Sequence, residues 1–491
     1  STVKPSAPTN EPVTATQPET KPLDKNRIVI LPFKNIGTPG ENDHIVEGIV
    51  DDLNIMLTNV DGLKVIGSVS AKTYRDSDKT PAEIGQELNA GTLLQGSIQK
   101  TGTGLKINVR LIDTTSSENT WAKSFSGSES DRSKFQQEII QSIVNKTRGT
   151  LLNQSELGSL TQGDTQNAEA YNLAKQGFEL LNRHSRETNQ EANRLFLKAI
   201  DLDPNYVDAY SGLSQCAIQS PGVSLDHPSD AYPLAKKYAD EALRINPDHI
   251  GAKTTKISLI LHNNRDTTNA MLVAQELLEQ HPNDIRVLKE VGEIYSLAGK
   301  TELAFSTLKK ALELDPKNSS LHQYLAYTYL ISGNEKLAEQ HNLRALEITP
   351  KYQFALHIRS LILSRQKQFD EIETQLLQAI EDDDQNPVTV MSLGIVYWRS
   401  GKTEESYKLL AELLDRRNFE YIKGGILTRF YMAIGDKEKA FKWLKQSRDE
   451  KDFDFINMFH WPLYDLVRDD PEFIQIFKDA KVYEFVTKKE L

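Results

Sequence analysis

Few residues of this 491-residue chain stand in a spacing that supports catalysis. A loop that cradles a phosphate needs a lysine after its glycines, and the stretch Gly37-Thr38-Pro39-Gly40 lacks one, which favours a plain turn. The chain has no H-E-x-x-H or G-x-S-x-G motif, and no G-x-G-x-x-G motif after a strand. We therefore predict a protein that is not an enzyme and that binds no metal and no cofactor. The chemistry that remains is recognition by arginine and aromatic side chains, which depends on the elements that carry them.

A 34-residue period organises the chain from Ile285 to Asp454. Each of its five windows predicts two helices that cross closely at a small eighth residue, which we expect to face the paired helix of its own unit. A glycine at position fifteen ends the first helix, where a positive φ costs it little. The eighth positions are Gly292, Ala326, Ser360, Gly394 and Thr428, and the fifteenth are Gly299, Gly333, Lys367, Gly401 and Gly435.

This spacing resembles the tetratricopeptide repeat, a helix–turn–helix unit that buries its apolar face only by stacking on its neighbours. Three less regular copies precede the five windows, and the second of them carries an insertion at Ser220–Pro228. The resemblance predicts an all-α right-handed solenoid of about eight tetratricopeptide repeats over residues 165–454. Residues 455–491 resemble the helices that cap such arrays.

The first third of the chain follows a different pattern. Leu105–Leu111 alternates apolar and polar residues, which is typical of a half-buried strand, and Arg27–Phe33 is typical of a fully buried strand. Residues 80–83 (Thr-Pro-Ala-Glu) form a helix-starting capping box. We predict an α/β domain with a mixed sheet over residues 26–152.

Residues 1–25 are rich in proline and threonine and have too few apolar side chains to fold. We predict a disordered linker, which is either a simple tail or a spacer from a membrane or another domain. Because the chain starts at Ser1 inside this segment, we expect a further segment upstream.

Three stretches of the α/β region, taken in order, resemble the TolB-amino-terminal-like domain: IVILPFKNIG, IVEGIVDDLNIMLTNVDGLKVIG and QELNAGTLLQGSIQKTGTGLKINVRLIDTTSSENTWAKSF. Followed by tetratricopeptide repeats, this order is similar to CadC-type membrane-anchored transcription activators and to some class III adenylate cyclases. The resemblance implies a non-enzymatic sensory and interaction region of a bacterial signalling protein. The preferred setting is the periplasmic part of a membrane-anchored winged-helix transcription regulator. The alternatives are the cytoplasmic regulatory region of a cyclase and a free-standing scaffold.

In tetratricopeptide solenoids, five positions of each first helix line the concave face. The resemblance implies a partner-binding surface of Arg286, Lys289, Glu293, Gln323, Tyr327, His357, Arg365, Met391, Trp398, Arg399 and Arg429. Arginine and aromatic residues are enriched at interfaces, although each of these is equally compatible with packing between repeats. We expect a protein or peptide in this groove. A small metabolite is not expected, since stacked repeats build an open trough.

Composition restricts the partners further. The net charge of −11 disfavours binding of nucleic acid by this chain itself. The single cysteine, Cys216, excludes an internal disulfide, which fits both the cytosol and a bacterial periplasm. No apolar run reaches about 18 residues, so contact with a membrane would require a segment absent from this sequence. The oligomeric state is left open, with a dimer among the alternatives.

Overall fold

The computed structural model describes residues 23–37, 43–60, 62–102, 104–128, 131–160, 164–382 and 386–487. Most of the predicted linker lies outside these residues. Asp24 and Lys25, which we assigned to the linker, belong to the first strand. The reason is that Asp24 pairs with Ala90 in the sheet, and Lys64 donates to its carboxylate over 2.9 Å. None of the described helices is long and apolar enough to cross a membrane.

A mixed sheet forms the N-terminal part, as predicted. Its strands are β1 (Asp24–Ile30), β2 (Lys34–Asn35), β3 (Lys64–Val65), β4 (Ala90–Thr101), β5 (Gly104–Asp113) and β6 (Glu118–Ser128). The order is β3-β1-β4-β5-β6, with β2 beside β4. Strand β1 runs parallel to β3 and β4, whereas β4, β5 and β6 pair antiparallel. The helices are α1 (Asp43–Thr58), α2 (Ser68–Lys72), α3 (Pro81–Leu88), α4 (Arg132–Arg148) and α5 (Gln154–Leu160).

The local signals of this part are confirmed. The apolar side chains of β5, such as Ile107, lie in one buried cluster with Leu53 of α1 and Ile139 of α4. The Thr80 side chain accepts from the Glu83 amide, and the Glu83 carboxylate accepts from the Thr80 amide, so the capping box is complete.

The next sixteen helices of the described chain, α6 to α21, are arranged in successive pairs. They are α6 (Ala168–Leu181) with α7 (Arg186–Leu202), α8 (Val207–Gln219) with α9 (Pro228–Ile245), α10 (Ile250–His262) with α11 (Thr267–Gln280), α12 (Ile285–Leu297) with α13 (Thr301–Leu314), α14 (Ser319–Ile331) with α15 (Glu335–Ile348), α16 (Gln353–Arg365) with α17 (Phe369–Asp382), α18 (Pro387–Ser400) with α19 (Thr403–Arg416), and α20 (Gly424–Ala433) with α21 (Lys437–Asp449). The chain is therefore a mixed sheet followed by a helical repeat array.

Position fifteen of the windows takes the left-handed backbone that the pattern predicts. Gly299, Gly333, Gly401 and Gly435 have φ of 68°, 81°, 87° and 84°. Lys367 adopts φ of 60° at the same place, so the repeat geometry imposes this conformation even on a residue with a Cβ. The eighth position is less uniform. A side chain at Gly292 would meet Leu308 of its own unit, as expected, but one at Gly394 would meet Phe430 of the next unit.

The C-terminal segment, residues 450–464, turns back into the array. It contains two short 3-10 helices (Ile456–Phe459 and Pro462–Tyr464) and is followed by α22 (Pro471–Asp479) and α23 (Tyr483–Thr487). Helix α22 packs on α21, while Trp461 reaches inward to Tyr327 of α14, with ring centroids 5.6 Å apart.

Early and late repeats also touch each other directly. The His184 ring stacks on Tyr352 at 5.8 Å, and Lys423 Nζ donates to the Gly222 carbonyl over 2.9 Å. Arg186 forms an ion pair with Glu420. The array is therefore closed on itself and does not leave the open trough that we expected. The insertion after α8, with Gly222, is part of this closure.

The sheet part is joined to the repeats by buried polar contacts. The Asp52 carboxylate of α1 accepts from Tyr171 over 2.7 Å and forms an ion pair with Lys175, both on α6. At a second place, Ser70 donates to Asp315 after α13 through its amide (2.9 Å) and its hydroxyl (2.6 Å). The sheet part thus contacts two repeats that are far apart in sequence.

Candidate functional site

The concave side of the closed array holds a cavity of about 260 Å³. One wall consists of first helices of successive repeats, α8, α10, α12 and α14. The other includes the start of α16, Lys423 before α20, and Phe453, Asp454 and Asn457 of the C-terminal segment. Residues as far apart in sequence as His184 and Asn457 therefore meet at one site.

Helix α12 supplies the charged side of the cavity. Arg286, Lys289, Glu290 and Glu293 follow at the spacing that places side chains on one helix face. The Asp284 carboxylate caps the start of this helix, because it accepts a hydrogen bond from the Arg286 amide over 2.8 Å. It also accepts a hydrogen bond from Arg286 Nε over 3.1 Å. Burial alone would raise the pKa of Asp284, but the Arg286 guanidinium outweighs it and lowers that pKa.

The two glutamates have only neutral hydrogen-bond donors. Ser258 Oγ donates to Glu290 over 2.6 Å, and the Tyr324 hydroxyl donates to Glu293 over 2.6 Å. Burial and then the neighbouring Glu293 charge raise the pKa of Glu290 to about 7. Burial likewise raises the pKa of Glu293. The cavity therefore carries carboxylates whose charge is poorly compensated.

On the opposite wall, the buried charged side chains form ion pairs with one another. Lys423 lies 2.8 Å and Arg429 lies 3.1 Å from the same oxygen of Asp454, and all three side chains are buried. Burial would raise the pKa of Asp454, but the two cations outweigh it and hold that pKa below its usual value. This triad fixes the C-terminal segment to α20. The charged groups of the cavity that lack a direct ion pair therefore lie on α12.

The cavity gathers five of the predicted partner-binding residues: Arg286, Lys289, Glu293, Gln323 and Tyr327. Three others, His357, Met391 and Arg429, are 1%, 0% and 1% exposed, so the expectation that they lie open on the concave face is wrong. For two of them the physical reason is the C-terminal segment, whose Trp461 covers His357 (5.1 Å between ring centroids) and Arg429 (5.5 Å from the guanidinium to the ring centroid). Met391 lies instead in the apolar cluster between α18, α19 and α20.

Arg365, Trp398 and Arg399 lie outside the lining of the cavity. Arg365 is exposed and pairs with Glu335 over 3.2 Å, and Trp398 packs edge-on against Tyr407 at 5.8 Å. A partner-binding role for these three remains a prediction.

Four further residues line the cavity and are absent from the partner-binding surface predicted from the sequence: Glu290, Tyr324, Lys423 and Asp454. Glu290 and Tyr324 occupy position six of their windows, and only positions two, five, nine, twelve and thirteen were considered. Acidic and hydroxyl side chains one helical turn before position nine were the available signal. No local signal places Lys423 or Asp454 here, because their position follows from closure of the array.

Sequence models of the tetratricopeptide repeat match residues 290–318 and 307–340. The chain therefore contains tetratricopeptide repeats, in a closed helical array behind a mixed sheet.

Two curated relatives are similar over part of their length. The Putative adenylate cyclase 3 of Rhizobium meliloti (strain 1021) is 27% identical over 234 residues, which is 47% of this chain and 40% of that protein. The human Interferon-induced protein with tetratricopeptide repeats 2 is 29% identical over 141 residues, which is 27% of this chain and 28% of that protein. The chain thus spans less than half the length of each relative.

Solved structures give two further likenesses. A tetratricopeptide repeat protein from Parabacteroides merdae ATCC 43184 has a TM-score of 0.34 at 16% identity, covering 51% of this chain and 98% of that one. The human IFIT1 dimer with m7Gppp-AAAA has a TM-score of 0.42 at 16% identity, covering 71% of this chain and 77% of that one.

Proposed function

We propose that this chain is the sensory and protein-interaction region of a bacterial signalling protein and that it carries no catalysis of its own. The cavity on the concave side is the observation that carries this proposal. Its walls come from repeats at both ends of the array and from the C-terminal segment. A ligand that bridges α12 and the C-terminal segment joins two parts of this wall, so its binding free energy acts on the closure of the array.

A route from the repeats to the sheet part supports the proposal. Tyr171 and Lys175 of α6 contact Asp52 of α1, which also accepts from Gln136 of α4 over 3.1 Å. Lys175 lies 3.6 Å from Asp208 on α8, which is the first helix that lines the cavity. A shift of α8 relative to α6 therefore changes contacts that position the sheet part.

Two settings fit such a region. The order of a TolB-like sheet domain and repeats supports the periplasmic part of a CadC-type, membrane-anchored winged-helix transcription regulator. The relative named Putative adenylate cyclase 3 supports the regulatory region of a cyclase in the cytoplasm. In both settings the output lies in another part of the protein, and a protein or peptide partner would use a surface outside the cavity.

Arg365, Trp398 and Arg399 are the candidates for that surface. They lie near the ends of the neighbouring first helices α16 and α18 and outside the cavity. An arginine and an aromatic ring that stay accessible are typical of interface anchors.

The test removes residues 23–487 from the full-length protein in its native host, with protein levels matched by immunoblot. Transcript profiles and intracellular cyclic nucleotide are then measured in both strains. We expect the deletion to make one output constant under conditions that change it in the wild type. A transcript response indicates the regulator setting, and a cyclic nucleotide response indicates the cyclase setting. If neither output differs between the strains, the sensory proposal is wrong.

A further inference from the structure

The size of the cavity restricts what it can hold. At about 260 Å³ it lies just below the roughly 300–1,000 Å³ of pockets that enclose drug-sized ligands. A small metabolite fits this volume, whereas a folded partner does not. The two glutamates of α12 also disfavour polyphosphates by charge repulsion.

The charges on α12 favour a ligand that carries both a positive and a negative group. No lysine or arginine of the described residues forms an ion pair with Glu290 or Glu293, whose hydrogen bonds come from hydroxyl groups. The Lys289 ammonium, on the same face, also forms no ion pair within the part of the chain that the structure describes. The two carboxylates and the Lys289 ammonium thus lie on one helix face without a direct ion pair, and the Lys289 charge only partly offsets the raised pKa of the two glutamates. Each of these charges is costly when removed from water.

Two amide side chains add hydrogen-bonding capacity. Gln323 is 3% exposed and lines the cavity, and its only hydrogen bond to the described residues is a long one, 3.4 Å from the Tyr352 hydroxyl to its Oε1. Its Nε2 is therefore without a partner there. Gln353 donates to the His184 carbonyl over 3.2 Å, while its buried Oε1 has no partner. Native proteins rarely leave such atoms unsatisfied unless a ligand or water completes them.

We propose that the cavity binds a small zwitterion of amino-acid size. Its ammonium group lies at Glu290 and Glu293, and its anionic group lies at Lys289. The rings of Tyr327 and Phe453 provide apolar walls for the remainder of the molecule. This inference rests on the proposed sensory function, since it names the class of molecule that is sensed.

The test uses the purified 491-residue chain. The twenty L-amino acids are screened by thermal shift, and the strongest is titrated by calorimetry beside two matched analogues. One analogue is its amide, which lacks the anionic group, and the other is its deaminated acid, which lacks the ammonium. We expect saturable binding with one site per chain for at least one amino acid. Each analogue should bind at least tenfold more weakly, because it leaves one set of charges unpaired.

Two cavity variants and two matched controls locate the binding. Glu290→Gln and Lys289→Met should each weaken binding at least tenfold. Glu302→Gln and Lys336→Met change exposed side chains of the same types outside the cavity and should leave it unchanged. Circular dichroism and a melting curve verify the fold of each variant, and Lys289→Met decides alone if Glu290→Gln fails to fold.

The proposal is wrong if no amino acid binds, or if both cavity variants bind like wild type. It is also wrong if the amide binds as tightly as the amino acid, since the ligand class is then a plain cation. These failures differ from a failure of the sensory function. Deletion of residues 23–487 that alters the output, without amino-acid binding, overturns only the ligand class. Amino-acid binding with an unaltered output overturns only the sensory function.

Discussion

At the scale of single residues, the buried charges divide into satisfied and unsatisfied groups. Asp454 is held by Lys423 and Arg429, and Asp284 is held by Arg286, so these charges hold the fold together. Glu290 has no such partner and keeps a pKa raised to about 7. A buried side chain in a cavity whose charge has no ion-pair partner destabilises the folded state, and such residues are candidates for ligand contact.

The raised pKa of Glu290 predicts a pH-dependent stability. The folded state holds the proton more tightly than the unfolded state, whose pKa is about 4.3. The stabilisation is therefore full below about pH 4.3 and is lost as the pH rises through about 7. We expect Glu290→Gln to be more stable than wild type at pH 8 by about 1–2 kcal/mol, which is a reduced value because the side chain still meets solvent in the cavity. Urea unfolding at pH 5, 6, 7 and 8 measures this.

The control for that series is Glu302→Gln, an exposed glutamate on α13. Its unfolding midpoints should follow those of wild type at every pH. Parallel pH profiles for wild type and Glu290→Gln would contradict the role given to Glu290.

Close packing at position eight predicts a second effect. Gly292→Leu places a side chain against Leu308 of the paired helix, and overpacking of this kind costs about 1–3 kcal/mol. Thermal unfolding should show a lower midpoint. Gly158→Leu on α5 is the control, since a Cβ there has no other atom within 4 Å. An equal midpoint for wild type and Gly292→Leu would show that the repeat register is wrong.

At the scale of elements, each helical pair follows from local rules, but the C-terminal segment does not behave as a simple end cap. Its 3-10 turns insert Trp461 among Tyr327, His357 and Arg429. A segment that occupies this part of the concave face covers surface on which a peptide would otherwise bind.

Trp461→Ala tests this segment. Trp461 is 1% exposed, and truncation of a buried tryptophan costs about 3–5 kcal/mol. Limited proteolysis should cut the C-terminal segment faster in the variant, because the segment loses its main anchor. Leu466→Ala lies in the same region and is the matched control, since Leu466 is 99% exposed and should change stability by less than about 0.5 kcal/mol. Equal cleavage rates for wild type and Trp461→Ala would rule out this anchoring role.

At the scale of the whole molecule, three sets of contacts hold the sheet part, the repeats and the C-terminal segment together. The repeats close on themselves, the C-terminal segment occupies part of their concave side, and the sheet part contacts repeats through Asp52 and through Asp315. Direct contacts therefore connect α8, which lines the cavity, to the sheet part through Lys175 of α6.

The pair Asp52–Lys175 tests the connection between the sheet part and the repeats. Asp52→Ala leaves Lys175 buried without its main counter-ion, which costs about 3–5 kcal/mol. The double variant Asp52→Leu, Lys175→Met should recover much of this loss, because no charge stays buried. Chemical unfolding measures both. The exposed pair Lys236–Asp240 is the control, and breaking it should cost less than about 0.5 kcal/mol. A double variant as unstable as Asp52→Ala would contradict a charge effect.

What the sequence by itself determined is the part of the structure that depends on neighbours along the chain. The alternation in Leu105–Leu111, the capping box at Thr80 and the left-handed position at Gly299 each reflect interactions within a few residues. The 34-residue period likewise reports how one helical pair packs on the next. These signals were sufficient for the mixed sheet and the helical pairs.

Only the tertiary structure decided how the array closes. Closure depends on small rotations that accumulate over many stacked pairs, and no single window contains this sum. The contact of Arg186 with Glu420 joins residues more than 200 positions apart, and Trp461 packs on Tyr327 of a distant repeat. For this reason the sequence predicts Arg429 on an open face, whereas the structure buries it. The structure likewise has a cavity, with Glu290 and Lys289 in its wall, where the sequence predicts an open trough.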